Sequence, residues 1–203
     1  MDKSVKAVLD NLLLGEKRIL GINMEKKKAL LIVDVQNDFV TGSLGSEYAK
    51  DVVVPNIVEL TKQFDRKDIY TTMDTHFKER YGDIDGYMNT QEGKRLPIEH
   101  CIQHTWGWEI VPELEGLYTT GLIKFTFGMN HDTLIKEFKD YDEVHICGLC
   151  TDICVITNAL EFKSNTHLGH IRVVVHENCC GGLTKEAHDA AIKVMRSCQI
   201  DIE

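Results

Sequence analysis

The sequence predicts an α/β protein built on a doubly wound, mostly parallel sheet in three layers. Five short apolar runs rich in branched residues recur along the chain, stretches of helical periodicity lie between them, and the first four runs each end in a polar or reactive residue. Strands alternating with helices on this scale imply βαβ units, and open sheets of that kind take their ligands beyond the carboxyl ends of the strands.

The first run, ALLIVDV at 29–35, is continuously apolar and predicts a strand buried on both faces. Val53, Ile57, Val58 and Leu60 then share one helical face within 52–66, and DIYTTMD at 68–74 supplies the second strand. Residues 77–120 carry many glycines, aromatics and charges with little periodicity, a profile of functional loops rather than core. LIKF at 122–125 is the third strand, and Leu134, Ile135 and Phe138 mark a helix over 130–140. EVHICGL at 143–149 and IRVVVHE at 171–177 are the fourth and fifth strands, with helices over 153–164 and 184–197. Ahead of all this, residues 1–27 are expected to be an extension, helical in part because Val5, Val8, Leu9, Leu12 and Leu13 share a face, leaving 28–203 as one domain.

Composition removes several functions. Net charge is -9, from 23 Lys plus Arg against 32 Asp plus Glu, and without a basic run this surface repels a phosphate backbone, so a nucleic-acid partner is not expected. No apolar stretch approaches the roughly 20 residues that span a bilayer, and no signal-peptide core is present, so a cytoplasmic protein without membrane contact is expected. Seven cysteines, an odd count, fit free thiols better than a disulfide framework.

Three of those cysteines, Cys147, Cys150 and Cys154, crowd into HICGLCTDICVITNAL. A thiolate metal site, a set of small core residues, or one reactive thiol with two bystanders would each account for them. A strand, a turn and a helix do not readily converge four ligands, and Cys147 points into the sheet as a core residue. Cys154 falls in the first turn of the following helix, where the helix N-terminus lowers a thiol pKa and offers N–H groups to an oxyanion. Asp34 interrupts an apolar run at a strand end, where a lone carboxylate is costly unless paired or catalytic, although a turn-forming Asp reads the same way; Asp38 suits the turn role better. Lys124, within GLIKFTFG, either snorkels outward or serves a site, and beside a thiol its ammonium would favour the thiolate. Asp74 and His76 alternate at a strand end, with Glu92 and His100 downstream. These four suit Zn, Fe or Mn with open coordination positions, or else are ordinary histidines and acids. His104, His131, His167, His170 and His188 are read as ordinary histidines.

In order, ALLIVDVQNDF, MDTH, LPIEHC, GLIKF and GLCTDICV resemble the isochorismatase-like cysteine hydrolases, and within them the nicotinamidase/pyrazinamidase group, over about residues 29–195. The resemblance implies Asp34 as proton shuttle, Lys124 as electrostatic partner and Cys154 as nucleophile. It also implies an oxyanion hole from the backbone N–H groups of Cys150 and Cys154, with a cis bond between Leu149 and Cys150. One divalent ion (Zn, Fe or Mn) is implied on Asp74, His76 and His100, with Glu92 as fourth candidate. Phe39 matches an expected pocket aromatic, whereas Leu96 stands where an aromatic often lines the pocket. LPIEHC is one residue longer than the double-proline form common in nicotinamidases. The expected reaction is nicotinamide plus water to nicotinate plus ammonia through a thioester, in a homo-oligomer. Another small amide or ureido substrate, vinyl-ether cleavage of isochorismate, and a catalytically silent binding module are the alternatives.

Overall fold

A computed structural model describes residues 26–203. The expected N-terminal helix and nearly all of its tether lie outside the described residues. Among those described, six strands form one sheet in the order β3-β2-β1-β4-β5-β6, and every neighbouring pair is parallel. The strands are β1 (Lys28–Val33), β2 (Ile69–Asp74), β3 (Thr120–Lys124), β4 (Glu143–Leu149), β5 (Arg172–Gly181) and β6 (Asp201–Ile202). The helices are α1 (Asn37–Val40), α2 (Val54–Thr61), α3 (Gln91–Arg95), α4 (His131–Phe138), α5 (Ile156–Ser164) and α6 (Lys185–Ser197). A π-helical turn leads into α2 at Ala49–Val53 and into α5 at Thr151–Val155.

The apolar run around β1 is explained by its place. Leu30 pairs with Ile69 on one side and His145 on the other, and Ala29 to Val33 are 0% exposed. From β1 the chain steps one way to β2 and β3, then crosses back to β4, β5 and β6. Right-handed crossovers therefore set α2 on one face and α4, α5 and α6 on the other, giving the three layers the sequence predicts. Reversal of strand order beside β1 opens a crevice at the carboxyl ends of β1 and β4.

Three features differ from the sequence reading. β6, two residues long, is too short to show a period. β5 extends to Gly181, with a register shift opposite Ile146 to Gly148 that carries Cys180 against Gly148. The segment after β2 is not wholly irregular: it holds α3 and short 3-10 turns at Tyr87–Asn89, Trp106–Trp108 and Pro112–Leu114. Gly148 is required at its position, because its φ is +123° and an added Cβ would stand 2.1 Å from the Val33 carbonyl oxygen.

Candidate active site

Asp34 immediately follows β1 with φ of 49°, a left-handed conformation uncommon outside glycine. Its backbone N–H donates to Thr72 Oγ1 at 3.0 Å, and the same hydroxyl donates to Asp34 Oδ1 at 2.6 Å. Thr72, in β2, thus fixes the carboxylate through both its main chain and its side chain. The other oxygen, Oδ2, lies 2.8 Å from Lys124 Nζ.

Lys124 closes β3 and does not snorkel; it is 3% exposed. Its ammonium reaches Asp74 Oδ1 at 3.0 Å, donates to the Thr126 carbonyl at 3.1 Å and lies 3.5 Å from Cys154 Sγ. Cys154, in the π-helical turn that opens α5, is 5% exposed. Strand ends, a strand-to-helix turn and one long cation therefore bring Asp34, Lys124 and Cys154 together. Cys147 is fully buried in β4, in the core position its place in the strand predicts. The Leu149–Cys150 peptide bond is cis, and Cys150 caps the turn that carries Cys154.

Burial raises the Asp34 carboxyl above its ordinary value, and neighbouring Asp74 adds to this, while Lys124 and Thr72 oppose it only in part. The Cys154 thiol is pushed well up by burial and by Asp34, and Lys124 only partly offsets them. Lys124 thus acts on the thiol in the expected direction, toward the thiolate, but burial and Asp34 outweigh it. Asp74 is also pushed up by burial, but Lys124 and then His76 outweigh this and hold it well below the usual carboxylate range. Lys124 itself stays protonated, because Asp34 and its other neighbours overcome the cost of its burial.

Asp74 joins this cluster to a second one. Asp74, His76, Glu92 and His100 each bring a ligand atom, all within 4.8 Å of one another. His76 Nε2 lies 3.0 Å from Asp74 Oδ2 and 3.8 Å from Glu92 Oε1, and His100 Nε2 lies 3.7 Å from each of those carboxylates. His76 is fixed through its backbone, which bridges to Ile102, and Glu92 rides on α3 behind the Thr90 cap. His100 Nδ1 donates to the Ile98 carbonyl at 2.9 Å, which leaves its Nε2 as a lone pair aimed at the group. His76 Nε2 is buried without an aligned hydrogen-bond partner despite its closeness to Asp74. Two imidazole nitrogens with two carboxylates, one of the nitrogens orphaned, fit a divalent ion.

Both clusters open on one cavity of about 140 Å³, well below the roughly 300–1,000 Å³ of pockets for drug-sized ligands. Phe39 and Leu96 line it as the sequence suggested, joined by Leu44, Phe127, Ile153 and Leu183, which sequence reasoning missed. Phe39 meets His100 edge-on at 5.4 Å between ring centres. Tyr87, also missed, is fully buried with its ring 4.6 Å from that of His76 and 5.0 Å from that of His100. Only the position of Phe127, three beyond Lys124, could have signalled any of these.

A family model described as "Isochorismatase domain" matches residues 28–202. The chain is 28% identical over 212 residues to "Nicotinamidase" of Schizosaccharomyces pombe, covering 86% of this chain and 91% of that protein. It is 28% identical over 183 residues to "Uncharacterized isochorismatase family protein PncA" of Bacillus subtilis, covering 82% and 92%. The fold matches that of the pyrazinamidase of Pyrococcus horikoshii in complex with zinc, with a TM-score of 0.68 at 24% identity, over 87% of this chain and 98% of that one.

Proposed function

The chain belongs to the isochorismatase family, and from that footing we propose that it is a cysteine-dependent amidohydrolase whose substrate is nicotinamide. The observation that carries the reading is the ammonium of Lys124, placed within 3.5 Å of the Asp34 and Asp74 carboxylates and the Cys154 sulfur. The similarity to a yeast nicotinamidase and the small cavity with aromatic walls support the substrate.

In this mechanism Asp34 takes the Cys154 proton as Sγ attacks the amide carbon, and Lys124, 3.5 Å from the sulfur, balances the negative charge that leaves the carboxylate for the sulfur. Backbone N–H groups of Cys150 and Cys154 receive the developing oxyanion. Asp34 then returns the proton to the departing nitrogen, the C–N bond breaks, and a thioester and ammonia result. In the second half Asp34 removes a proton from water, which attacks the thioester, and the sulfur leaves as the thiol with that proton. A divalent ion held by Asp74, His76, His100 and Glu92 would supply a coordination position that orients the ring nitrogen of the substrate. Phe39 and Leu96 confine the ring. The cytoplasmic setting and a homo-oligomeric assembly belong to the same reading; no described helix is long and apolar enough to cross a membrane.

Ammonia release from nicotinamide, pyrazinamide and a set of other small amides and ureido compounds tests the proposal. Nicotinamide should have the highest kcat/KM. A clear preference for an aliphatic amide or ureido compound would move the protein to another branch of its family, and inactivity on the whole set would leave a binding module.

Two expected results arise here. Thr72→Val removes a hydrogen bond that lowers the Asp34 pKa. Because Asp34 must be ionised to act as base, the acidic limb of the kcat/KM profile should move to higher pH, with roughly a tenfold loss below neutrality, a typical size for one charge-assisted hydrogen bond. Protein purified without chelator should carry about one equivalent of Zn, Fe or Mn at the four-residue group, the stoichiometry of one site with this ligand count. His76→Ala combined with His100→Ala should abolish that metal and raise KM; unchanged metal content together with unchanged KM would show that the group holds no ion.

A further inference from the structure

Away from the cavity, a second cluster lies on the sheet itself. His145 pairs across β4–β5 with Val174, and Val174 pairs with Asp201 of β6. Residues two apart in a strand share a face, so His176 and Glu203 lie on the same face as His145. Each of the three offers a ligand atom, all within 4.8 Å of one another. His145 is roughly 16 Å along the strand from Cys150, at about 3.3 Å per residue, so the cluster is separate from the active site.

The ring nitrogens that face each other are His145 Nδ1 and His176 Nε2, 2.8 Å apart. At that distance at most one carries a proton, and at least one lone pair is directed into the cluster. His145 Nε2, on the far side of its ring, is buried and lies 3.4 Å from Glu143 Oε2, too poorly aligned for a full hydrogen bond. Glu143 is buried yet held down to about 2 by Lys26, Lys28 and Arg172, so it is ionised. A negative carboxylate nearer the remote nitrogen favours the proton on Nε2 by charge alone, and so favours Nδ1 as the lone pair. Arg172 lies 3.4 Å from Glu203 Oε1, but it also contacts Asp201 and Glu143, and the second oxygen of Glu203 remains for a cation.

We propose that His145, His176 and Glu203 form a second site for a divalent transition-metal ion, of the kind that imidazole and carboxylate donors suit, such as zinc. The ion joins β4, β5 and the residue that follows β6. Because β6 is a two-residue edge strand, its attachment gains most from such a link.

The test uses the whole protein, stripped with chelator and dialysed against Zn²⁺, with bound zinc counted per chain. His176→Ala should bind about one zinc fewer than the parent, keep amide hydrolysis unchanged, and lose part of the zinc-dependent rise in melting temperature. Glu203→Gln, on an exposed side chain, should fold in any event and bind this zinc at least tenfold more weakly. The combined His76→Ala and His100→Ala variant should keep this ion, which separates the site from the one beside the cavity. Zinc counts and melting shifts in His176→Ala and Glu203→Gln equal to those of the parent would overturn the proposal.

Discussion

Cys154→Ala is expected to reduce ammonia release by on the order of 10⁴-fold or more, the scale seen when a covalent nucleophile is removed from a coupled triad. Among the described residues, Cys154 is the cysteine whose sulfur lies within 3.5 Å of the Lys124 ammonium. Cys147 is enclosed in β4 among Cys179 and Cys180, and its thiol is held far above the ordinary range by burial. Cys101 is buried at 0% exposure, and burial together with three nearby carboxylates keeps it protonated. Cys150 shares the cavity, but burial pushes its thiol up to about 12 and Asp152 adds to that, while Lys124 lies close enough only to oppose them in part. Cys147→Ala should therefore leave turnover within a few-fold, with its cost appearing in stability as a small core cavity. Comparing the two variants by ammonia release, with the fold checked by circular dichroism, separates loss of the nucleophile from loss of packing.

Lys124→Met is expected to damage both stability and activity. The substitution keeps most of the stem's volume but leaves Asp34 and Asp74, at 0% and 4% exposure, buried beside each other without their shared cation. Removing one partner of a buried ion pair costs about 3–5 kcal/mol, because the remaining charge is uncompensated. The sign of the pH dependence follows. Without Lys124 the Asp34 carboxyl, already raised by burial and by Asp74, binds its proton still more tightly than in the unfolded chain, and Asp74 loses the largest charge that holds it down. The deficit should be smallest below the ordinary Asp range, where Asp34 is protonated in both states, and should grow as pH rises through its elevated folded value. Urea denaturation at pH 5 and pH 8 checks this, with the larger loss expected at pH 8. An equal loss at both would mean that packing, and not charge, is what Lys124 supplies.

Much of this arrangement was legible in the sequence, for definite reasons. A central parallel strand is buried on both faces, so β1 announced itself as an unbroken apolar run. Asp34 and Lys124 then stood out because each breaks such a run at its end, and Cys154 because it opens the helix after β4. The rest depended on properties that a linear pattern does not carry. Thr72 looks like any small polar residue in a strand until its hydroxyl is seen bonded twice to Asp34. The lysine's pull on the Cys154 thiol was readable from its place in the strand, but not the depth of burial that outweighs it. Tyr87 and α3 lie in a segment whose elements span three to five residues, too few to show a period. His145 and His176 were read as parts of two strands; that they meet depends on register, which only the paired sheet reveals.

The central claim is that the amide carbon passes through a thioester on Cys154, and one measurement addresses it directly. Protein mixed with excess nicotinamide, quenched in acid during turnover and mapped by peptide mass spectrometry should carry the nicotinoyl group on the peptide containing Cys154, in parent protein and in Cys147→Ala alike. The same group located by fragmentation on any other cysteine, Cys147 and Cys150 of that same peptide included, or retained at equal level in Cys154→Ala, would contradict the account.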